Sequence, residues 1–115
     1  MRIGKIASSI PIITSAIGIT LSADEVKGTV VLATDAITIN LPVAKEGDLV
    51  TIYSVGSTLI TVNPDNSDKI VLDGTALSNG QAILSGSLAG DFITLVGYTD
   101  GWIQIGKSGA WTAGV

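Results

Sequence analysis

The chain contains no cysteine and no histidine. Without cysteine, neither a disulfide nor a thiolate metal site holds the fold together, and the redox compartment is left open. Without histidine, the most versatile general acid–base and the commonest metal ligand are both missing. Charge is scarce too: 14% of residues are charged, six of them basic with a single arginine, Arg2, and the net charge is −4. An ordinary soluble domain carries roughly 25% charged residues. Nucleic-acid affinity rests on clustered Lys and Arg against phosphates, which six scattered basic residues cannot supply. What is abundant is apolar: 46% hydrophobic residues and a mean hydropathy of +0.56. A surface so poor in charge disperses badly alone, so partners or a membrane must cover part of it.

The 115 residues suffice for one domain. A charge-free stretch runs over residues 6–23, behind Arg2 and Lys5. A membrane span needs about 20 predominantly apolar residues, but this stretch is broken by Ser8, Ser9, Thr14, Ser15, Thr20, Ser22, Pro11 and Gly18. A secretory signal fits the charge order, with Leu21-Ser22-Ala23 as a cleavage site. The third reading is an extended arm over residues 1–15 leading into a β domain over residues 16–115. Pro11 favours extended backbone at Ile10, and from Ile17 onward Ile17, Ile19 and Leu21 alternate with Gly18, Thr20 and Ser22, the period of a half-buried strand. The arm residues Ile6, Ile10, Pro11, Ile12 and Ile13, together with Trp111, are candidate partner-binding residues. The alternative use of the same segment is an edge strand on its own domain.

Ser22-Ala23-Asp24-Glu25 has capping-box spacing and predicts one helical turn ending at Gly28. Strands dominate after it, over residues 29–34, 36–41, 49–55, 58–62, 69–72, 82–88, 92–98 and 102–107. Between them stand Pro42, the turn formers 63–68, Asp73-Gly74 and Asn79-Gly80. Gly56-Ser57 reads as a hairpin joining 49–55 to 58–62, and Asp100-Gly101 as the turn of a second hairpin. Gly47-Asp48-Leu49-Val50-Thr51-Ile52 is echoed by Gly90-Asp91-Phe92-Ile93-Thr94-Leu95, and Leu59–Val62 lines up with Trp102–Ile105 at the same offset. The expectation is therefore an all-β fold: an antiparallel β-sandwich, Greek-key or jelly-roll-like, with an extended N-terminal arm. Val50, Ile52, Ile60, Val62, Ile93, Leu95, Ile103 and Ile105 are expected to face the core. Leu49, Tyr53, Val55, Phe92, Val96, Tyr98 and Trp102 fall on the opposite faces, where apolar residues imply contacts between subunits of a homo-oligomer.

Several chemical motifs are present only in outline. Gly101-Trp102-Ile103-Gln104-Ile105-Gly106-Lys107-Ser108 matches the P-loop pattern, but its intervening residues are strand-like and the residues after Ser108 cannot form the required helix. Asp65, Asn66, Ser67, Asp68 and Asp73 could offer oxygens to Ca²⁺, yet they lack the EF-hand spacing and are good turn formers. Asp35, Asp48, Asp91 and Asp100 also sit in expected turns, and no pair of carboxylates is singled out for glycosidase chemistry. Serine catalysis lacks a histidine base. No catalytic, cofactor-binding or metal-binding residue is assigned, and the chain is expected not to be an enzyme. Tyr98, Trp102 and Trp111 could form a sugar platform, against packing or interface roles.

The run Leu41-Pro42, Gly47-Asp48-Leu49-Val50-Thr51-Ile52, Leu59-Ile60-Thr61-Val62-Asn63-Pro64, Asp68-Lys69-Ile70-Val71-Leu72-Asp73-Gly74 and Asp100-Gly101-Trp102 resembles a β module common in bacteriophage virion proteins. The resemblance covers about residues 36–105 and rests on turn and packing residues. It implies a trimeric sandwich on the particle exterior, in tail fibres or as a head-decoration protein. Because the chain is short and has no repetitive shaft, the expected role is a capsid decoration, cement or head-fibre subunit. Its expected partners are other copies of itself, as a homotrimer, and the major capsid or another virion protein. It would be made in the host cytoplasm, and neither nucleic acid nor membrane is an expected partner. The alternatives are a receptor- or glycan-binding module of a phage tail fibre and, more distantly, a secreted bacterial surface protein starting at Asp24.

Overall fold

Pro42 and Pro64 each stand just beyond a short run in which Thr and Asn alternate with Ile or Val: Thr38-Ile39-Asn40 and Thr61-Val62-Asn63. Alternation makes both runs strands with one face buried. Proline, lacking an amide to donate, closes each run, one residue beyond Asn63 and two beyond Asn40. A computed structural model, which describes residues 10–114, shows what this repetition builds. Strands β1 (Ile12–Ser15), β3 (Lys27–Ala33) and β5 (Leu49–Ser54) lie side by side and parallel in one sheet. Strands β2 (Ile19–Thr20), β4 (Ile37–Asn40) and β6 (Ile60–Asn63) lie side by side and parallel in another. The chain thus crosses from one sheet to the other after every strand, winding three times.

Equivalent backbone hydrogen bonds join successive turns of this winding: Leu21 N–H to Asn40 C=O at 2.9 Å, and Leu41 N–H to Asn63 C=O at 2.8 Å. On the outside of the smaller sheet the side chains form a matching ladder. Asn63 Nδ2 donates to Asn40 Oδ1 at 3.1 Å, and Asn40 Nδ2 donates to Thr20 Oγ1 at 3.2 Å. Asn40 is the shared rung, so Asn40→Ala should cost about 1 kcal/mol and Asn63→Ala roughly half of that. Urea midpoints of the two variants check the order; Asn63→Ala proving the worse would mean that the ladder does not link the turns.

The second half of the chain completes both sheets. Strands β7 (Lys69–Leu72), β8 (Thr75–Ala76), β10 (Phe92–Tyr98) and β11 (Gly101–Ser108) extend the first to a seven-stranded sheet of order β1-β3-β5-β10-β11-β7-β8. Strands β9 (Ile83–Leu84) and β12 (Thr112–Ala113) extend the second to five strands, β12-β9-β6-β4-β2. Val31, Ala33, Val50, Ile52, Ile93 and Leu95 from the large sheet meet Ile37, Ile39, Ile60, Val62 and Ile83 from the small one in a single core, a sandwich-like arrangement. Among the described residues the one helical element is a 3-10 turn, Ala23–Glu25, with Glu25 Oε1 accepting the Ser22 N–H at 2.9 Å.

Three expectations are corrected. The sheets are mixed and not antiparallel: β1/β3, β3/β5, β7/β11, β2/β4 and β4/β6 are all parallel pairs. Gly56-Ser57 is not a hairpin turn, because β5 and β6 belong to different sheets. At that corner Ser54 turns the chain, its hydroxyl donating to Gly56 C=O at 2.6 Å while its amide is held by Asp91 C=O at 2.8 Å. The third correction concerns β11. Trp102 is fully buried, Ile103 is half-buried on the outer side and Ile105 is 59% exposed. The hairpin turn is Thr99-Asp100, with Gly101 already paired to Tyr98. A turn placed one residue early in the chain moves every following side chain to the opposite face. A bulge between Thr94 and Leu95 then leaves Ile105 without a partner across the ladder.

Candidate assembly surface

Alternation fixes which side chains of the large sheet point away from the core, and the strand register arranges them in rows. One row runs Ile12, Val30, Thr51, Thr94, Gly106. A second runs Thr14, Leu32, Tyr53, Phe92, Ser108. A third runs Leu49, Val96, Ile103, Val71, Ala76. The result is an outer face of aliphatic, aromatic and threonine side chains across the sheet. Two lysines fall on this face by register, both at its margin: Lys69, the first residue of β7, and Lys27, the first residue of β3, which lies beside Leu49 and is paired with Asp48. At the middle, Thr51 Oγ1 and Thr94 Oγ1 lie 2.8 Å apart and share one hydrogen bond.

The outside of the small sheet is different. Its rows carry Thr38, Thr61, Leu84 and Thr112, and beside them Thr20, Asn40 and Asn63. Hydroxyls and amides there are fit to face water, whereas the large sheet's outer face is not.

Charges gather at the strand ends. The two Gly-Asp turns that echo each other are built alike. Gly47 and Gly90 have φ of 89° and 90°, a left-handed conformation that glycine adopts without strain. Asp48 N–H donates to Lys45 C=O and Asp91 N–H to Leu88 C=O, both at 3.1 Å. Both aspartates are buried. Asp48 accepts the Lys45 N–H at 3.2 Å and pairs with Lys27 Nζ at 2.6 Å. Asp91 Oδ2 accepts the Gly86 and Leu88 amides at 2.9 and 3.2 Å. Since β5 and β10 pair antiparallel through Thr51 and Thr94, the two turns sit at opposite ends of this central pair. The second half of the echo is not structurally equivalent: β6 lies in the small sheet, β11 beside β10 in the large one.

The acidic turn over residues 63–68 spends its oxygens on backbone. Asp65 Oδ2 accepts from Ser67 Oγ at 2.6 Å and from Ser67 N–H at 3.0 Å. The hydroxyl bond first and the amide bond second hold its carboxyl below the ordinary carboxylate range. Asp68 accepts the Ala44 N–H at 2.8 Å, and Asp73 pairs with Lys107 at 3.4 Å. Among the described residues there is no pocket, and no group of three or more His, Cys, Asp or Glu is spaced to hold a metal ion. Gly101–Ser108, the P-loop-like segment, is strand β11 throughout. No helix among the described residues is long and apolar enough to cross a membrane.

Of the partner-binding candidates, Ile6 lies outside the described residues. Ile10 and Ile12 are 63% and 59% exposed, and Pro11 is exposed with its carbonyl accepting the Val30 N–H at 2.9 Å. Ile13 turns inward and packs against the core. Residues 12–15, expected within an extended arm, are the edge strand β1 of the large sheet, so Ile12 belongs to the outer face. Trp111 is buried in the protein's own core, its indole N–H donating to Ser108 C=O at 3.1 Å. Leu49, Tyr53, Phe92, Val96 and Tyr98 lie on the outward side as expected, and Trp102 does not. Val30, Leu32 and Val71 are additional members. The run Val30-Val31-Leu32-Ala33 is apolar at every position and hides which residues face out, although parallel neighbours on both sides are a known cause of such runs.

No protein-family model matches the chain, and no curated protein matches it in sequence.

Proposed function

We propose that this chain is a non-enzymatic structural subunit that works by associating with copies of itself. In the resemblance to phage virion modules it is a capsid decoration, cement or head-fibre subunit on the particle exterior. The observation that carries the reading is the outer face of the large sheet, a broad, nearly charge-free surface of Ile, Val, Leu, Tyr and Phe. Such faces in β proteins are covered by another layer. The sandwich-like core supplies a rigid platform, whether its connections are classed as Greek key, jelly roll or a parallel winding. The homotrimer and the major capsid partner follow from the resemblance alone. A shell held by many repeated apolar contacts gains strength from symmetry without requiring any one contact to be strong.

Attachment to the particle is assigned to the N-terminal segment. Deleting residues 1–15 would remove β1 and confound the result, whereas deleting residues 1–9 leaves every described strand in place. The shorter deletion is expected to keep the oligomer, measured by light scattering, while abolishing occupancy on purified capsids. Full capsid occupancy after this deletion would overturn attachment through the arm. The glycan-binding alternative loses its tryptophans, since Trp102 and Trp111 are both in the core. It would have to rely on Tyr53 and Tyr98, and glycan-array binding lost on Tyr53→Ala would favour it.

A further inference from the structure

We infer that the outer face of the seven-stranded sheet is the surface on which copies of this chain meet, packed about a symmetry axis near the Thr51–Thr94 pair. The inference rests on the self-association reading above and adds to it where on the face the copies meet.

The first argument is size. Six strands, β1, β3, β5, β10, β11 and β7, lie side by side across the face. At about 4.8 Å per strand and about 3.3 Å per residue, they span roughly 600 Å² before side-chain relief is counted. A standard interface buries about 800 Å² per partner, and casual contacts fall to about half of that or less. The face is therefore of the right order for a stable contact.

The second argument is charge. A contact between identical copies brings equivalent residues together near the symmetry axis, so a charge close to the axis meets its own like. The centre of this face holds Thr51 and Thr94, whose hydroxyls share one hydrogen bond, with Leu49, Tyr53, Phe92 and Val96 around them. Nothing there repels a second copy. A different partner would normally be selected by complementary charge, and this face offers none at its centre. The carboxylates Asp48 and Asp91 sit at the ends of the central strand pair, in the turns before β5 and β10.

The third argument is the contrast between sheets. The small sheet's outer face, with its Thr20–Asn40–Asn63 ladder and the hydroxyls of Thr38, Thr61 and Thr112, is polar and suits solvent. Only one of the two faces calls for cover, and it is the same one in every copy.

The chain has no cysteine, so Thr51→Cys introduces a unique thiol at the centre of the face and Thr38→Cys a control thiol on the exposed outside of the small sheet. With a short bis-maleimide linker, Thr51→Cys is expected to give a covalent pair of chains and Thr38→Cys monomers only. The opposite pattern overturns the inference. Thr94→Lys places a charge at the contact and is expected to weaken self-association by about a hundredfold or more, with circular dichroism unchanged. An oligomer that persists with Thr94→Lys, while the thiol of Thr51→Cys reacts as fast as that of Thr38→Cys, sinks this surface and leaves self-association standing. A wild-type chain that is monomeric at micromolar concentration removes self-association itself.

Discussion

Trp102→Ala is expected to destabilise the domain by about 3–5 kcal/mol, a large part of the 5–15 kcal/mol that typically separates folded from unfolded states. Trp102 is the largest fully buried side chain in the protein. Its backbone neighbours are Gly97 on β10 and Ile70 on β7, so it sits where the antiparallel hairpin meets a parallel strand. Gly97 leaves no slack there. A Cβ at that position would run into the Lys45 carbonyl oxygen and come within 3.0 Å of Asp48 Cβ, so the loop before β5 is already seated against this strand. An emptied tryptophan site cannot close by moving β10, and a cavity is left. Trp102→Phe should behave differently. Among the described residues the indole N–H of Trp102 has no hydrogen-bond partner, and an unsatisfied buried donor costs about 1–3 kcal/mol. Phenylalanine loses part of the packing but removes that cost, so its net effect should be below about 2 kcal/mol. Urea unfolding followed by far-ultraviolet circular dichroism measures both. Equal losses for Ala and Phe would show that the indole nitrogen is not an unmet donor.

The position of Trp102 also shows where the sequence was legible and where it was not. Period-two alternation separates Val50 and Ile52 from Leu49 and Tyr53, and Ile93 and Leu95 from Phe92 and Val96, as the structure has them. Those strands carry their orientation in the pattern itself. In β11 the pattern Trp102-Ile103-Gln104-Ile105 fits either face, so orientation depends on the turn. Asp100-Gly101 looks like the favoured two-residue turn, but Gly101 serves another need. Its φ of 146° and its approach to the Lys69 backbone place it inside the strand, and the turn moves back to Thr99-Asp100 with the opposite parity.

Pairing partners were harder to read than strands. Adjacent segments joined by Gly-Ser look like a hairpin, and nothing in the alternation of β5 or β6 says that each pairs with a strand a full winding away. A signal did exist in Thr38-Ile39-Asn40-Leu41-Pro42 and Thr61-Val62-Asn63-Pro64, which repeat the same outward Thr and Asn ahead of a proline. Like residues stacked in register are what a parallel ladder produces, because Asn can bond Asn along the stack. The outer face was likewise half legible. Leu49, Tyr53, Phe92, Val96 and Tyr98 could be placed from alternation, while Val30 and Leu32 were hidden in an unbroken apolar run. Of the candidate partner-binding residues, Ile12 lies on the face through the pairing of β1 with β3, and Trp111 lies in the core.

Asp91→Ala is expected to cost about 2–4 kcal/mol, more than Asp48→Ala at about 1–3 kcal/mol, although the two residues occupy equivalent turns. One Asp91 carboxylate oxygen accepts two backbone amides, from Gly86 and Leu88, within a segment where Ser87 holds a positive φ of 63°. Alanine would leave both amides without their acceptor and release the constraint that keeps Ser87 in a conformation unfavourable for a side chain. The same loop returns the Ser54 amide to Asp91 C=O, so its loosening reaches the corner between β5 and β6. Asp48 holds one amide, from Lys45, and an ion pair with Lys27. The lysine side chain is 53% exposed, and a half-exposed cation loses little when its partner is removed, because water replaces the contact. Asp91→Asn keeps an acceptor oxygen in place and should recover most of the loss, about 1 kcal/mol remaining. Denaturation midpoints for the three variants decide the matter. If Asp48→Ala were the more damaging, the Lys27 pair and not the amide bonds would be what secures these turns, and the equivalence of the two Gly-Asp turns would be one of shape without shared energetics.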